Sequence, residues 1–218
     1  MTGSDERLPD AVIFDFAMTL SRLSEYYVKR LAEHGLGIRD VIPYLRLEDQ
    51  FGGEPFGVDD MAPVLEAGLA PEHGENAGRA AAAILSAYSE SEAFEPIEGI
   101  DNLISDLHGA GRKIGILANG AAEVEAAHLT DFVNTGMVTA TVLAGRDGVS
   151  KPARAAFELI AERLGVAVEG CYFIDDSEQN VDAARALQMS AFHFVGDVAE
   201  LRRALVKAGA LSEHDDTA

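Results

Sequence analysis

Four positions in this chain carry side chains that could act together on an anionic substrate. Asp15 closes the apolar run that begins at Ala11. Asn119 and Gly120 close a run from Lys113 to Ala118, and Asp175-Asp176 close a run that begins at Cys171. Lys151 lies between them in Ser150-Lys151-Pro152. A carboxylate can attack phosphorus or carbon and divide one hard step into two. Carboxylates also supply the oxygen ligands that a hard cation requires. A lysine ammonium balances such carboxylates and holds a transferring anion. An Asn-Gly pair can present N–H donors to the same anion, because glycine lets backbone approach closely. Each residue also has a plain alternative. A strand-end Asp often forms a turn, Asp175 and Asn180 can cap the following helix, and Lys151 can be an exposed loop residue. Cys171 reads as inert core within a buried strand. The six histidines are scattered without the spacing of a metal site.

The elements that must position these residues are short strands alternating with helices. Strands are expected over 11–16, 113–118, 139–144, 171–175 and 191–195. Each is apolar and bounded by polar residues or Gly, as for strands buried on both faces. Ile100, Leu103, Ile104 and Leu107 keep helical spacing, and so do Phe157, Ile160, Ala161 and Leu164. Gly109 with Gly111, and Gly165, are expected helix stops, and Pro152 an expected first helical residue. The alternation implies an α/β fold with a parallel sheet and helices on both faces. Functional residues of such a sheet gather at the carboxyl ends of its strands. Residues 21–95 break the alternation. Helices are expected there over 23–34, 40–51, 59–67 and 76–89, and no strand. This predicts a helical insertion after the first strand, with a core formed by residues 1–20 and 96–218.

Composition narrows the setting. Net charge is −20, from 17 basic and 37 acidic residues. Such a surface repels nucleic acid and anionic membranes. Eight acids and no Lys or Arg lie between Leu47 and Gly78, a pattern expected of a solvated face. No apolar run is long enough to span a bilayer, and the first residues lack the apolar segment of a secretory leader. With a single cysteine no internal disulfide is possible, so a cytoplasmic location is expected.

The order Asp15, Asn119, Lys151, Asp175-Asp176 resembles the four-motif signature of the haloacid dehalogenase superfamily, made mostly of magnesium-dependent phosphatases. The resemblance implies a Rossmann-like core with an inserted helical cap, and it covers residues 11–196. It makes Asp15 the nucleophile and Asp176 the main Mg2+ ligand beside Asp15, with Asp175 supporting. It places Lys151 and Asn119 on the substrate anion, with Gly120 and Thr19 beside them. The substrate implied is a small, anionic molecule.

The first motif departs from that family. Its phosphatases read Asp-x-Asp-Gly-Thr, and this chain reads Asp15-Phe16-Ala17-Met18-Thr19. The second carboxylate, which protonates the leaving alcohol and then activates water, is replaced by Ala17. Ala118 stands where the family has Ser or Thr, and Met18 where it has Gly. Phosphonoacetaldehyde hydrolases also carry Ala there but use a cap lysine, and the inserted segment offers only Lys29. Two-haloacid dehalogenases need no acid, since halide leaves unprotonated. Their cap arginine would correspond to Arg39 or Arg46. Three outcomes follow: an impaired or altered phosphatase-type hydrolase, a dehalogenase-like hydrolase, or a silent binding module.

Overall fold

The structure, a computed structural model, describes residues 8–41, 51, 54–124 and 128–212. Five parallel strands form the main sheet: β1 (Ala11–Phe14), β4 (Lys113–Ala118), β5 (Val138–Leu143), β6 (Cys171–Asp175) and β7 (Ser190–His193). Their order is β5-β4-β1-β6-β7. The strands expected over 113–118 and 171–175 keep their bounds, and the other three shift by one or two residues at their ends.

The central strands β1, β4 and β6 are buried along almost their whole length, whereas the edge strands β5 and β7 are partly exposed. Two layers cover the centre of the sheet. Val12, Phe14, Ile114 and Ile116 pack with α5 (Ile100–Gly109) and α11 (Val198–Lys207). Their neighbours Ile13, Leu117 and Phe173 pack with α9 (Arg154–Leu164) and α10 (Glu178–Ala186) on the opposite side. With both faces buried, period-two alternation disappears. At the end of α9, Gly165 adopts φ 64°, a left-handed conformation that favours glycine. Helix α5 runs through Gly109, and the left-handed position is Gly111 at φ 76°.

Between β1 and β4 the chain makes an excursion. It leaves through β2 (Ser21–Leu23) and returns through β3 (Phe94–Pro96), which pair antiparallel. This corrects the expectation of no strand in 21–95. Three residues per strand are too few to show a period, and Pro96 lies at an edge, where a missing donor is tolerated. Helices α1 (Glu25–Glu33), α2 (Ile38–Val41), α3 (Val58–His73) and α4 (Ala77–Tyr88) fill the excursion. The Ser24 side chain caps α1 by accepting the Tyr27 N–H at 3.1 Å. Tyr27 and Leu31 then fall on one face and pack with Leu65, Leu69 and Ile84 in a second core. Ala77, Ala80, Ala81 and Ala83 give α4 a small-residue surface for that packing. Helix α3 continues six residues past the expected end, through Pro71, because burial of Leu65 and Leu69 outweighs a weak local propensity. Of the helix expected over 40–51, residues 42–50 lie outside the described residues.

Shorter pieces complete the core: α6 (Ala122–Val124), α7 (Thr130–Asn134) and α8 (Ala144–Asp147). No helix among the described residues is long and apolar enough to cross a membrane.

Candidate active site

Strand order decides where the polar residues meet. After β1 the chain builds β4 and β5 on one side, then β6 and β7 on the other. A crevice opens outside the carboxyl ends of the strands where the direction of winding switches. Here that switch lies between β1 and β6. Phe14 and Ile174 are in register, and the Asp15 N–H donates to Ile174 O at 2.9 Å. Asp15 therefore emerges beside Asp175.

Lys151 joins them. Its side chain is 2% exposed, so its charge must be met by protein. Nζ donates to Asp15 Oδ1 and to Asp175 Oδ2 at 2.8 Å. It also lies 5.7 Å from the Phe173 ring centroid, within cation–π range. The lysine backbone is held as well. Asn119 Nδ2 donates to Lys151 O, and the Lys151 N–H donates to Asn119 Oδ1, both at 2.8 Å. Both ends of the Asn119 amide are thus engaged in clamping the lysine loop. The clamp delays helix entry: Ala153 is the N-cap and Arg154 the first residue of α9, so Pro152 is not the expected first helical residue.

The β6 turn is equally well tied. Asp175 Oδ1 accepts the Ser177 N–H at 2.7 Å. Asn180 Nδ2 lies 3.2 and 3.1 Å from the two carboxylate oxygens. Half-exposed Asp176 follows, and its carbonyl is 2.9 Å from His193 Nε2. One oxygen from each of Asp15, Asp175 and Asp176 can be chosen within 4.8 Å of the others.

One ammonium against three carboxylates leaves surplus negative charge. Burial pushes the Asp15 carboxyl up to about 7; Lys151 opposes the rise, and the Asp175 and Asp176 charges add to it. Burial would lower Lys151, but the attraction of Asp15 and Asp175 outweighs it and holds the ammonium above its ordinary range. The all-oxygen donor set and its unbalanced charge fit a hard divalent cation such as Mg2+.

The loop after Asp15 is closed by backbone. The Met18 N–H donates to Ser21 O at 2.6 Å, and the Leu20 N–H to Phe16 O at 2.9 Å. Met18 adopts φ 65°, a left-handed conformation that ordinarily favours glycine. Thr19 is fully buried, and its hydroxyl has no partner among the described residues. Backbone bonds hold this loop.

The sequence pattern of the haloacid dehalogenase-like hydrolases matches residues 9–188. The chain belongs to that family. Over 83 residues it is 35% identical to a phosphatase of Mycobacterium tuberculosis, a stretch that spans 38% of each protein. Among solved structures, a haloacid dehalogenase family hydrolase of Deinococcus radiodurans with bound phosphate and sodium is similar, with TM-score 0.65. That match has 24% identity and covers 94% of this chain and 99% of the other. A dehalogenase solved with an intermediate complex matches with TM-score 0.65 at 19% identity, over 84% of each chain. At these identities the structural likeness is one of fold.

Around the Asp15–Lys151–Asp175 cluster the remaining predicted residues fall unevenly. Gly120 is buried, and its carbonyl accepts the Gly145 N–H at 2.8 Å. Arg46 lies outside the described residues, and Arg39 is exposed on α2. Lys29 is exposed on α1. Cys171 is buried, and burial pushes its thiol up to about 12, as inert core requires.

Two positioning residues escaped sequence reasoning. Ser177 contributes a backbone N–H, which no side-chain pattern reveals. Gly145 lets three chain segments meet: a Cβ there would lie 2.4 Å from Phe56 O, 2.6 Å from Ala122 N and 2.7 Å from Gly120 O. The Phe56 N–H donates to Gly145 O at 3.1 Å, so the inserted segment docks directly on the Asn119-Gly120 loop.

Proposed function

We propose that this protein is a phosphatase-type hydrolase acting on a small anionic molecule, with Asp15 as nucleophile and Mg2+ as cofactor. One observation carries the reading: a fully buried lysine joins Asp15 to Asp175 at the switch point of the sheet. A second oxygen of Asp15 remains for attack on phosphorus while Lys151 holds the first. Attack forms an aspartyl phosphate and releases the alkoxide of the substrate, and water then cleaves the aspartyl phosphate. Mg2+ held by Asp15 and Asp176, with Asp175 in support, would neutralise charge on the phosphoryl oxygens. The Thr19 hydroxyl and the Gly120 backbone would donate to those oxygens. Asn119 acts through Lys151, whose backbone it clamps. Residues 1–20 and 96–218 form the catalytic core. Residues 21–95 serve as its cap, supported by the Phe56 contact with Gly145.

Ala17 cannot protonate an alkoxide, so turnover should favour leaving groups that need no proton. Aryl and acyl phosphates should release phosphate in Mg2+, and Asp15→Asn should abolish that release. Calorimetry should find Mg2+ binding to the parent and none to Asp176→Ala; equal binding would remove the metal assignment.

Ala17 also supports a second reading, hydrolysis of a 2-haloacid, because halide departs without a proton. Asp15-dependent chloride release from chloropropionate, without phosphate release from any ester, would establish it instead.

A further inference from the structure

The inserted helices and the core enclose a small cavity next to the site. Its volume is about 30 Å3, roughly twice what one water molecule needs. Tyr27, Val41, Leu65 and Ile84 line it from the insertion, and Asn119 and Gly120 from the core. Its described lining contains no charged side chain. Tyr27 is fully buried, and its hydroxyl has no hydrogen-bond partner among the described residues. Buried hydroxyls are nearly always paired, and an exception asks for an explanation.

Resting on the phosphatase reading, we propose that this cavity takes the compact neutral end of the substrate's leaving group, and that Tyr27 selects for an oxygen carried there. The chemistry follows from the walls. An apolar lining of this size rejects a second charge, because a buried ion without a partner is costly. It admits little more than one or two heavy atoms. One unpaired phenol hydroxyl rewards a hydroxyl or carbonyl oxygen on the entering group and discriminates against the analogue that lacks it. The substrate class is therefore the phosphate monoester of a short, otherwise neutral alcohol bearing one further oxygen. Nucleotides, sugar bisphosphates and phosphorylated acids fall outside it.

Calorimetry in Mg2+ with three probes tests this: n-propyl phosphate, hydroxypropyl phosphate and carboxyethyl phosphate, each referred to inorganic phosphate. The parent should bind the hydroxypropyl ester about tenfold more tightly than the propyl ester, the scale of one well-placed hydrogen bond. The carboxyethyl ester should bind most weakly. In Tyr27→Phe the two neutral esters should come within about twofold of each other, on the same one-bond reasoning. Equal binding of the neutral esters by the parent overturns the proposal. So does a preference that survives Tyr27→Phe, or a failure of any ester to bind. A higher melting temperature in Tyr27→Phe with unchanged ligand preference would mark the hydroxyl as a core orphan, and likewise overturns it. Phosphate release is measured separately. A Tyr27-dependent preference without phosphate release would retain the cavity and remove the phosphatase reading. Phosphate release without the preference would do the reverse.

Discussion

Strands β1 and β6 lie side by side and each ends in an aspartate, yet the two turns are built differently. The β6 turn is saturated. Asp175 receives Lys151 Nζ, the Ser177 N–H and the Asn180 amide, each at 2.7 to 3.2 Å. The β1 turn closes mainly through backbone bonds. It holds a methionine at φ 65° and a buried threonine hydroxyl without a described partner. Half-buried Ala17 packs against the core. The difference separates two jobs. The β6 turn is organised before any ligand arrives. The β1 turn keeps unused polar capacity in the buried Thr19 hydroxyl, which has no partner among the described residues.

Removing the link between the turns should have the largest effect. Lys151→Met leaves Asp15 and Asp175 buried without their ammonium, and should cost about 3–5 kcal/mol of stability at neutral pH. Urea denaturation in magnesium-free buffer measures it. Adding Asp15→Asn should recover part of the loss, since one uncompensated charge disappears. A loss under about 1 kcal/mol, the range of exposed pairs, would mean the cluster is solvated and the two turns are independent.

The next effect is catalytic and lies wholly in the β1 turn. Ala17→Asp restores a proton donor, and should raise turnover of alkyl phosphates by about 10²–10⁴-fold. Aryl phosphates should gain much less, since an aryloxide departs without a proton. Steady-state kcat values for the two classes test this. Equal gains would show that Ala17 limits something other than leaving-group protonation.

Backbone strain gives a smaller signal. A left-handed residue with a side chain costs roughly 1–2 kcal/mol, and glycine returns about 0.4–1 kcal/mol to the unfolded chain. Met18→Gly should therefore stabilise the protein by roughly 0.5–1 kcal/mol, the difference between those terms. A melting temperature that falls would show Met18 making contacts that outweigh its strain.

Asp147, the last residue of α8, tests whether saturation of a carboxylate has its usual consequence. Burial acts to raise its pKa. Hydrogen bonds from Arg163, Arg146 and the Leu143 N–H overcome that and hold it well below the ordinary range. A depressed folded value means its stabilisation is complete above the unfolded pKa of about 4. That stabilisation is lost as pH falls toward the folded value. Stability of the parent should therefore fall more steeply below about pH 4 than that of Asp147→Asn. Parallel curves would show the carboxylate already neutralised by solvent.

Much of this was legible before any coordinates. The apolar runs from Lys113 and Cys171 read as strands because two buried faces leave no polar position within them. Asp15, Asn119 and Asp175 read as site residues because a parallel sheet gathers the ends of its strands. Strands β2 and β3 were not legible, since three residues carry no period. The last turn of α3 was missed because Pro71 argues against helix locally, while Leu65 and Leu69 hold it in place from a distance.

The linear chain determined the central strands, the helices that alternate with them and the order of the polar residues at the strand ends. These depend on side-chain identity and on neighbours a few residues away. Tertiary structure decided what each polar group touches. Asn119 clamps the Lys151 backbone, although 32 positions separate them. Gly145 is small because three chain segments crowd it. Tyr27 reads as ordinary amphipathic helix, and only the packing of α1, α3 and α4 makes it line a cavity beside Asn119 and Gly120, its hydroxyl without a partner among the described residues. The physical reason is common to all three. Hydrogen bonds and steric contacts act over a few ångströms in space, and sequence separation does not report that distance.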